Sequence, residues 1–219
     1  EEIANASNGA NFFQIYAWHD KAMIMDFVVR CKKANYQGLM LAVDLPALGK
    51  RERDLRNGHG RPAVLRKNTA LSALSKPAWL FHFLAKPKWK MANMIEYLPH
   101  GADALKVIDT VNAQFRADVN WDDVKELMNV WEGKFILKGI QSVQDAVLAK
   151  EMGVSGIILS NHGGRQLDGA PAAMDILADV VKAVGPEMEV LIDGGITRGS
   201  DVIKAMALGA SGCLIGRAY

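Results

Sequence analysis

Six short apolar runs recur along the chain, and most of them are followed by a segment whose apolar residues have helical spacing. The runs cover residues 12–17, 38–44, 135–139, 157–159, 190–195 and 212–217. Runs of this length predict buried strands. Their alternation with helical patterns predicts a parallel sheet with helices outside it. A doubly wound sheet and a β/α barrel both satisfy this pattern.

Polar residues at the ends of the predicted strands favour the barrel. Almost every strand ends in one: Tyr16, Asp44, Lys138, His162, Asp193 and Arg217. A site assembled from all of the strand ends requires those ends to form a ring, as they do in a β/α barrel. Glycine-rich turns follow the last two strands, where barrels commonly hold a phosphate group. A complete barrel has eight strands, so the six visible here predict a barrel fragment.

Local patterns also predict how the helices begin and which residues they bury. Short polar side chains accept hydrogen bonds from the first free N–H groups of a helix, and four are predicted N-caps: Asp20, Asn120, Ser142 and Ser200. A helix that begins at Pro171 is expected to bury one apolar stripe: Met174, Leu177, Val181 and Val184.

Composition excludes several classes of function. The chain has 219 residues, half of them hydrophobic, with a net charge of +2, which suits one globular domain and does not favour nucleic-acid binding. No apolar run reaches the roughly 18 residues that span a bilayer, and no targeting signal is apparent. Cys31 and Cys213 lack paired spacing, which indicates two free thiols in a reducing compartment. We therefore expect a cytoplasmic protein without a metal site.

A long region after the second strand, at about residues 45–100, has an unusual composition and is predicted to be an irregular active-site loop. Eleven lysines and arginines face three acidic residues between positions 50 and 100, with tryptophan and phenylalanine interleaved. This composition is typical of a segment that lies on an anionic membrane surface, here residues 76–90 at the inner face of the plasma membrane. A lid whose aromatic residues pack on the barrel accounts for it equally well.

The fourth strand is followed by Ser-Asn-His-Gly-Gly-Arg-Gln-Leu-Asp at positions 160–168. His162 can exchange a proton near neutral pH, and Arg165 can hold a carboxylate through two parallel hydrogen bonds. Gly163 and Gly164 allow a sharp bend or the close approach of a flat ligand. A base and an anion-binding group three residues apart suggest that a proton is removed from a small acid.

This segment resembles the active-site signature of the FMN-dependent α-hydroxy-acid oxidases and dehydrogenases, which include glycolate oxidase and the flavin-linked lactate and mandelate dehydrogenases. The resemblance extends over nearly the whole chain and implies strands 3 to 8 of a (β/α)8 TIM barrel. Residues 51–57 and 76–84 resemble the lactate and mandelate dehydrogenase branch more than the plant-type oxidases.

The resemblance implies oxidation of a small L-2-hydroxy acid to its 2-oxo acid. That reaction needs a cofactor that accepts electrons, and the family uses FMN. A Gly-x-Gly-x-x-Gly fingerprint is lacking, which argues against nicotinamide. The electrons would pass to a quinone or to oxygen, and we expect the complete protein to be a homo-oligomer.

Roles for individual residues follow from the same resemblance. His162 would be the base and Asp44 its partner, Tyr16 would bind the substrate oxygen, and Arg51 and Arg165 would bind the substrate carboxylate. The remaining predicted site residues would bind the cofactor. The flavin ring would contact Gln14, Ser160 and Lys138, whose charge needs a partner if it is buried. The ribityl and phosphate groups would contact Asp193, Gly195, Gly216 and Arg217.

Two positions depart from the family pattern. Ala42 replaces a threonine that contacts the flavin, and Thr197 replaces an arginine that pairs with the phosphate, although Arg198 follows it. Two other functions stay open. One is another FMN barrel enzyme such as a type 2 isopentenyl-diphosphate isomerase, which lacks the 160–166 run. The other is a non-catalytic FMN-binding barrel.

Overall fold

The chain forms two compact units, one made of residues 1–49 and 115–219 and the other of residues 50–114. We call them the sheet unit and the helical unit. The structure is a computed structural model that describes residues 2–47, 49–57, 67–85, 92–97 and 110–218.

The sheet unit contains six parallel strands whose spatial order follows the chain. They are β1 (Phe12–Tyr16), β2 (Gly38–Ala42), β3 (Lys134–Ile140), β4 (Gly156–Leu159), β5 (Glu189–Ile192) and β6 (Gly212–Cys213). A doubly wound sheet reverses its strand order at a switch point. Here no reversal occurs among the described strands, and this sequential order is that of a barrel.

Helices connect the strands of the sheet unit and make up most of the described helical unit. They are α1 (Glu2–Ala6), α2 (Lys21–Lys33), α3 (Glu52–Arg56), α4 (Lys67–Leu74), α5 (Pro77–Ala85), α6 (Trp121–Val130), α7 (Val143–Glu151), α8 (Ala173–Val184) and α9 (Gly199–Ala207), with 3-10 turns at Ala92–Tyr97 and Gly185–Glu187.

The core lies between the sheet and its helices. All four residues of β4 are buried, which is typical of a parallel strand covered on both faces. The largest fully buried side chains include Leu39, Leu41, Leu137, Ile157 and Ile192. This core holds the strand ends in fixed positions.

Three of the four predicted N-caps are confirmed. Asp20 accepts a hydrogen bond from the Met23 N–H, Asn120 from the Asp123 N–H and Ser142 from the Asp145 N–H.

The prediction for Ser200 is wrong, because α9 begins at Gly199 and its N-cap is Arg198. The carboxylate of Asp201 accepts the N–H groups of Thr197 and Arg198 instead.

The buried face of α8 differs by one position from the predicted stripe. Leu177 and Val184 are fully buried as expected. Ala173 and Val180 are buried in place of Met174 and Val181, which are half-buried. The buried residues keep the 3.6-residue period of the predicted stripe, so the buried face is only slightly rotated from the predicted one.

The region predicted to be a long irregular loop contains α3, α4 and α5. Helix α5 exposes several large apolar side chains, among them Trp79, Phe81 and Phe83. The rings of Trp79 and Phe83 stack with their centroids 5.1 Å apart. Within the described part of the chain, no helix is long and apolar enough to cross a membrane. Residues 86–90 of the proposed membrane segment lie outside the described residues.

Candidate active site

Polar side chains meet at the carboxyl ends of the parallel strands. Tyr16 is in register with Ala42, and Ala42 with Lys138. Residues in register on neighbouring parallel strands point to the same face of a sheet. The strand pairing therefore places Tyr16 and Lys138 on one face, with the small Ala42 between them.

His162 and Asp44 form a close pair between the loops that follow β4 and β2. The Nδ1 atom of His162 lies 3.0 Å from each carboxylate oxygen of Asp44. The Asp44 side chain has no exposed surface, whereas His162 keeps 22% of its side chain exposed. A carboxylate bound to Nδ1 leaves Nε2 as the nitrogen that can accept a proton. The sequence-based pairing of these two residues is present in the structure.

The close packing of Asp44 depends on a glycine in β3. A Cβ at Gly139 would lie 2.6 Å from both Cβ and Cγ of Asp44, and Gly139 has a φ of 103°. The register of β3 against β4 also shifts between Lys138 and Ile140. Gly139 is not among the site residues predicted from the sequence, although a lone glycine inside a strand often marks a bulge or a close approach.

The loop after β4 holds His162 in a left-handed backbone conformation with a φ of 59°. Such a conformation is unfavourable for a residue with a Cβ, and it is found mainly where the surroundings impose it. Ser160 Oγ accepts the His162 N–H at 3.0 Å, and Asn161 Oδ1 accepts the Gly164 N–H at 3.0 Å. Asn161 also donates to the Pro171 carbonyl. These contacts fix the backbone of the loop that carries His162.

Lys138 is a buried cation with a partner inside the chain. Its Nζ lies 2.8 Å from Asp193 Oδ2 and 3.0 Å from Ser160 Oγ. The ion pair offsets much of the cost of burying the ammonium group. The family resemblance implies that the flavin compensates this charge, and the structure adds Asp193, which is 55 residues away in the chain.

Ser160 connects the Lys138–Asp193 pair to the His162–Asp44 pair. Its hydroxyl accepts hydrogen bonds from Lys138 and from the backbone of His162, and lies 3.5 Å from Asp44 Oδ2. Its carbonyl accepts a hydrogen bond from Gln141. The chain thus uses much of the hydrogen-bonding capacity of Ser160, whose predicted contact with the flavin stays a prediction.

Tyr16 lies beside His162, with the two ring centroids 6.5 Å apart. Burial raises the pKa of the Tyr16 hydroxyl, the negative charge of Asp44 raises it further, and a hydrogen bond with the Gln14 side chain partly opposes both. The hydroxyl therefore stays protonated at neutral pH and can donate a hydrogen bond to a substrate oxygen. Gln14, predicted to contact the flavin, is half-buried at this position.

Arg165 is half-buried in the loop that carries His162. Among the described residues, no ion pair or hydrogen bond engages its guanidinium group. Arg217 lies against the same loop, because a Cβ at Gly163 would be 3.5 Å from its Nη2 atom. Gly195 and Gly216 are exposed, which leaves their backbone open to a ligand. The predicted contacts of these four residues with the substrate and the cofactor stay predictions.

Arg51 belongs to the helical unit, where it precedes α3. Its predicted contact with the substrate carboxylate stays a prediction.

A cavity of about 380 Å³ lies on another side of Asp44. Its lining is largely apolar and includes Pro46, Trp121, Leu137 and Leu167. His162, Lys138 and Arg165 are not part of this lining. Of the residues assigned to the site, Asp44 therefore borders this cavity, whereas His162, Lys138 and Arg165 do not.

A family model described as FMN-dependent dehydrogenase matches residues 1–219. A putative L-lactate dehydrogenase of Mycobacterium tuberculosis is 38% identical over 96% of this chain and 50% of that protein. An L-lactate dehydrogenase of a Caulobacter species is 35% identical over 100% of this chain and 57% of that protein. Glycolate oxidase 3 of Arabidopsis thaliana is 37% identical over 99% of this chain and 53% of that protein.

Solved structures give the same result for the fold. A monotopic membrane protein, (S)-mandelate dehydrogenase, matches with a TM-score of 0.90 and 35% identity over 100% of this chain and 57% of that chain. Mandelate oxidase with (S)-4-hydroxymandelic acid matches with a TM-score of 0.77 and 35% identity, over 99% of this chain and 55% of that chain. The chain spans about half the length of these relatives. The predictions of the family and of a partial β/α barrel are confirmed.

Proposed function

We propose that the complete protein oxidises a small L-2-hydroxy acid to its 2-oxo acid, because the chain belongs to the FMN-dependent dehydrogenase family. Lactate-like and mandelate-like acids are the expected substrates, and a quinone or oxygen the final electron acceptor. The main observation behind the proposal is the His162–Asp44 pair, in which His162 is the proton acceptor. The loop that contains His162 also contains Arg165. This arrangement combines a base with a carboxylate-binding group.

The residues at the strand ends fit the FMN that the family indicates. Asp193 Oδ1 is buried and has no hydrogen-bond partner among the described residues, which suits a hydroxyl donor such as a ribityl group. The buried Lys138 ammonium group supplies positive charge nearby. Arg217 and the exposed Gly216 suit a phosphate group. When bound, FMN accepts the two electrons that the substrate loses.

The side chains of this chain account for the proton transfer. Oxidation of a 2-hydroxy acid releases two protons together with the two electrons. His162 Nε2 would accept one proton, and the Asp44 carboxylate would stabilise the resulting imidazolium. The other proton would leave with the two electrons to the cofactor. Tyr16 would donate a hydrogen bond to the substrate oxygen, and Arg165 would fix the carboxylate by two parallel hydrogen bonds.

Replacement of the proposed base tests this function. In the complete protein with FMN bound, His162→Gln should slow anaerobic flavin reduction by about 100-fold or more, the usual scale for loss of a general base. Stopped-flow reduction with lactate, mandelate and glycolate measures it, and the FMN content should not change. Near-normal reduction of the variant would contradict the assignment of His162. Lack of reduction of the wild-type protein by any 2-hydroxy acid would contradict the proposed function.

We also propose peripheral membrane contact through residues 76–90. The side chains of Trp79, Phe81 and Phe83 on α5 are 55%, 67% and 58% exposed. Exposed aromatic residues flanked by lysines favour the boundary between lipid headgroups and acyl chains. The similar mandelate dehydrogenase, described as monotopic, supports the proposal. The proposed location is cytoplasmic, on the inner face of the plasma membrane.

Vesicle flotation tests the membrane proposal. Replacement of residues 76–90 by a Gly/Ser linker should release the complete protein from anionic vesicles while flavin reduction by substrate persists. Ile203→Ser on α9 is the matched control, because it removes an exposed apolar side chain from the sheet unit. If the wild-type protein does not bind these vesicles at moderate salt, the lid hypothesis replaces the membrane hypothesis. We also expect a homo-oligomer, and light scattering of the complete protein without vesicles would measure its molar mass.

A further inference from the structure

Gln166 is a buried polar residue in the 160–168 segment that the proposed mechanism does not use. Its side chain is only slightly exposed, and Oε1 accepts the Gly49 N–H at 3.1 Å. Gly49 is 117 residues away in the chain. It ends the part of the sheet unit that follows β2. This hydrogen bond therefore joins the loop after β4 to the loop after β2.

The backbones of the two loops also approach closely at this point. A Cβ at Gly49 would overlap the carbonyl oxygen of Arg165 and would lie 3.0 Å from the Gln166 nitrogen. The φ of Gly49 is not in the left-handed region, so a glycine is required here for the close approach and not for the backbone conformation. The backbone of Arg165 is thus packed directly against Gly49.

The two loops are consequently joined at two places. The first is the pair formed by His162 and Asp44, and the second is the contact of Gln166 with Gly49. One contact leaves two segments free to rotate about it, whereas two contacts separated by several residues fix their relative orientation. Arg165 lies between His162 and Gln166, so the second contact also limits the movement of Arg165.

We infer that Gln166 is a positioning residue, which holds the loops after β2 and β4 together through Gly49 and so keeps His162, Asp44 and Arg165 in one arrangement. The predicted effect of Gln166 on catalysis rests on the proposed function, whereas its predicted effect on hydrogen exchange of the Gly49 amide does not. Catalytic groups that shift by about 1 Å can lose about 100-fold in rate, so loss of the contact should be visible in the kinetics.

The test uses Gln166→Leu in the complete protein with FMN bound. Hydrogen exchange followed by mass spectrometry reports on the Gly49 amide, which should exchange about 10-fold faster once its acceptor is lost. Stopped-flow flavin reduction reports on the site. The ratio of the reduction rate to the substrate Kd should fall by about 10- to 100-fold, without loss of FMN. A purely structural role would lower the melting temperature but leave this ratio unchanged in the folded protein.

Three further variants and one control separate a positioning role of Gln166 from a purely structural one. Gln166→Glu keeps the acceptor and should retain both the slow exchange of Gly49 and most of the kinetic ratio. Gly49→Ala should reproduce the kinetic loss, and the combination of Gly49→Ala with Gln166→Leu should cost no more than the worse single change. Gln144→Leu is the matched control, since Gln144 is exposed on α7.

If the Gly49 amide exchanges in Gln166→Leu at the same rate as in the wild type, the inference is wrong. Full additivity of the two substitutions, or a glutamate variant as impaired as the leucine variant, would also overturn it. If no 2-hydroxy acid reduces the wild-type flavin, the proposed function fails. The exchange measurement then still decides whether Gln166 holds Gly49.

Discussion

Replacement of Asp44 by asparagine separates the charge of this residue from its shape. The carboxylate is fully buried and both oxygens lie 3.0 Å from His162 Nδ1. Asparagine has nearly the same size and can still form a hydrogen bond with the ring. It carries no charge, so it cannot stabilise the imidazolium that forms when His162 accepts a proton.

The magnitude follows from the geometry. Two unit charges 3.0 Å apart attract each other by about 5 kcal/mol at an effective dielectric constant of about 20. The asparagine retains a hydrogen bond of about 1 kcal/mol. Water reaches the 22% of the His162 side chain that is exposed and screens the interaction further. We therefore expect a loss of about 3 kcal/mol of transition-state stabilisation, which slows flavin reduction by about 100-fold.

Anaerobic stopped-flow reduction of the complete FMN-bound protein measures this rate. The substrate Kd and the FMN content should change little, because Asp44 is not expected to contact the substrate carboxylate. Asp179→Asn is the matched control, since Asp179 is exposed on α8. A reduction rate of Asp44→Asn within about 3-fold of the wild type would mean that the buried charge does not stabilise a developing imidazolium.

Three further predictions concern the other charged groups. Arg165→Met should raise the substrate Kd by about 100-fold, and Arg165→Lys should restore it only in part, because a lysine lacks the planar fork; full restoration would exclude a bidentate contact. Lys138→Met should lower the free energy of unfolding of the complete protein by about 3 kcal/mol, because it leaves the Asp193 carboxylate without its counter-charge. Denaturant titration measures this loss and should show partial recovery of stability in the Lys138→Met/Asp193→Asn double variant. Hydrogen bonds from the Thr197 and Arg198 N–H groups hold the pKa of Asp201 below its usual value, so the wild type should exceed Asp201→Asn in melting temperature at neutral pH. This difference should disappear as the pH falls through the lowered pKa, and a difference that is independent of pH would contradict it.

Much of the local structure could be predicted from the sequence because it depends on residues within a few positions of one another. The caps Asp20, Asn120 and Ser142 act on N–H groups two or three residues away. The position of His162 and Arg165 three residues apart in one segment is likewise visible in the sequence. The error at Ser200 is also local: the Asp201 carboxylate accepts the Thr197 and Arg198 N–H groups, and the helix begins at Gly199, so Ser200 lies inside its first turn.

The contacts that complete the site depend on tertiary structure. The sequence alone determined the alternation of strands and helices, the polar residues at the strand ends and the need of a buried Lys138 for an opposite charge. The sequential strand order confirms the predicted barrel, but only the folded chain shows that Asp193 supplies that charge and that Gly49 packs against Gln166. Local patterns carry no information on which strand ends become neighbours, because partners 55 to 118 residues apart meet only when the sheet orders its strands.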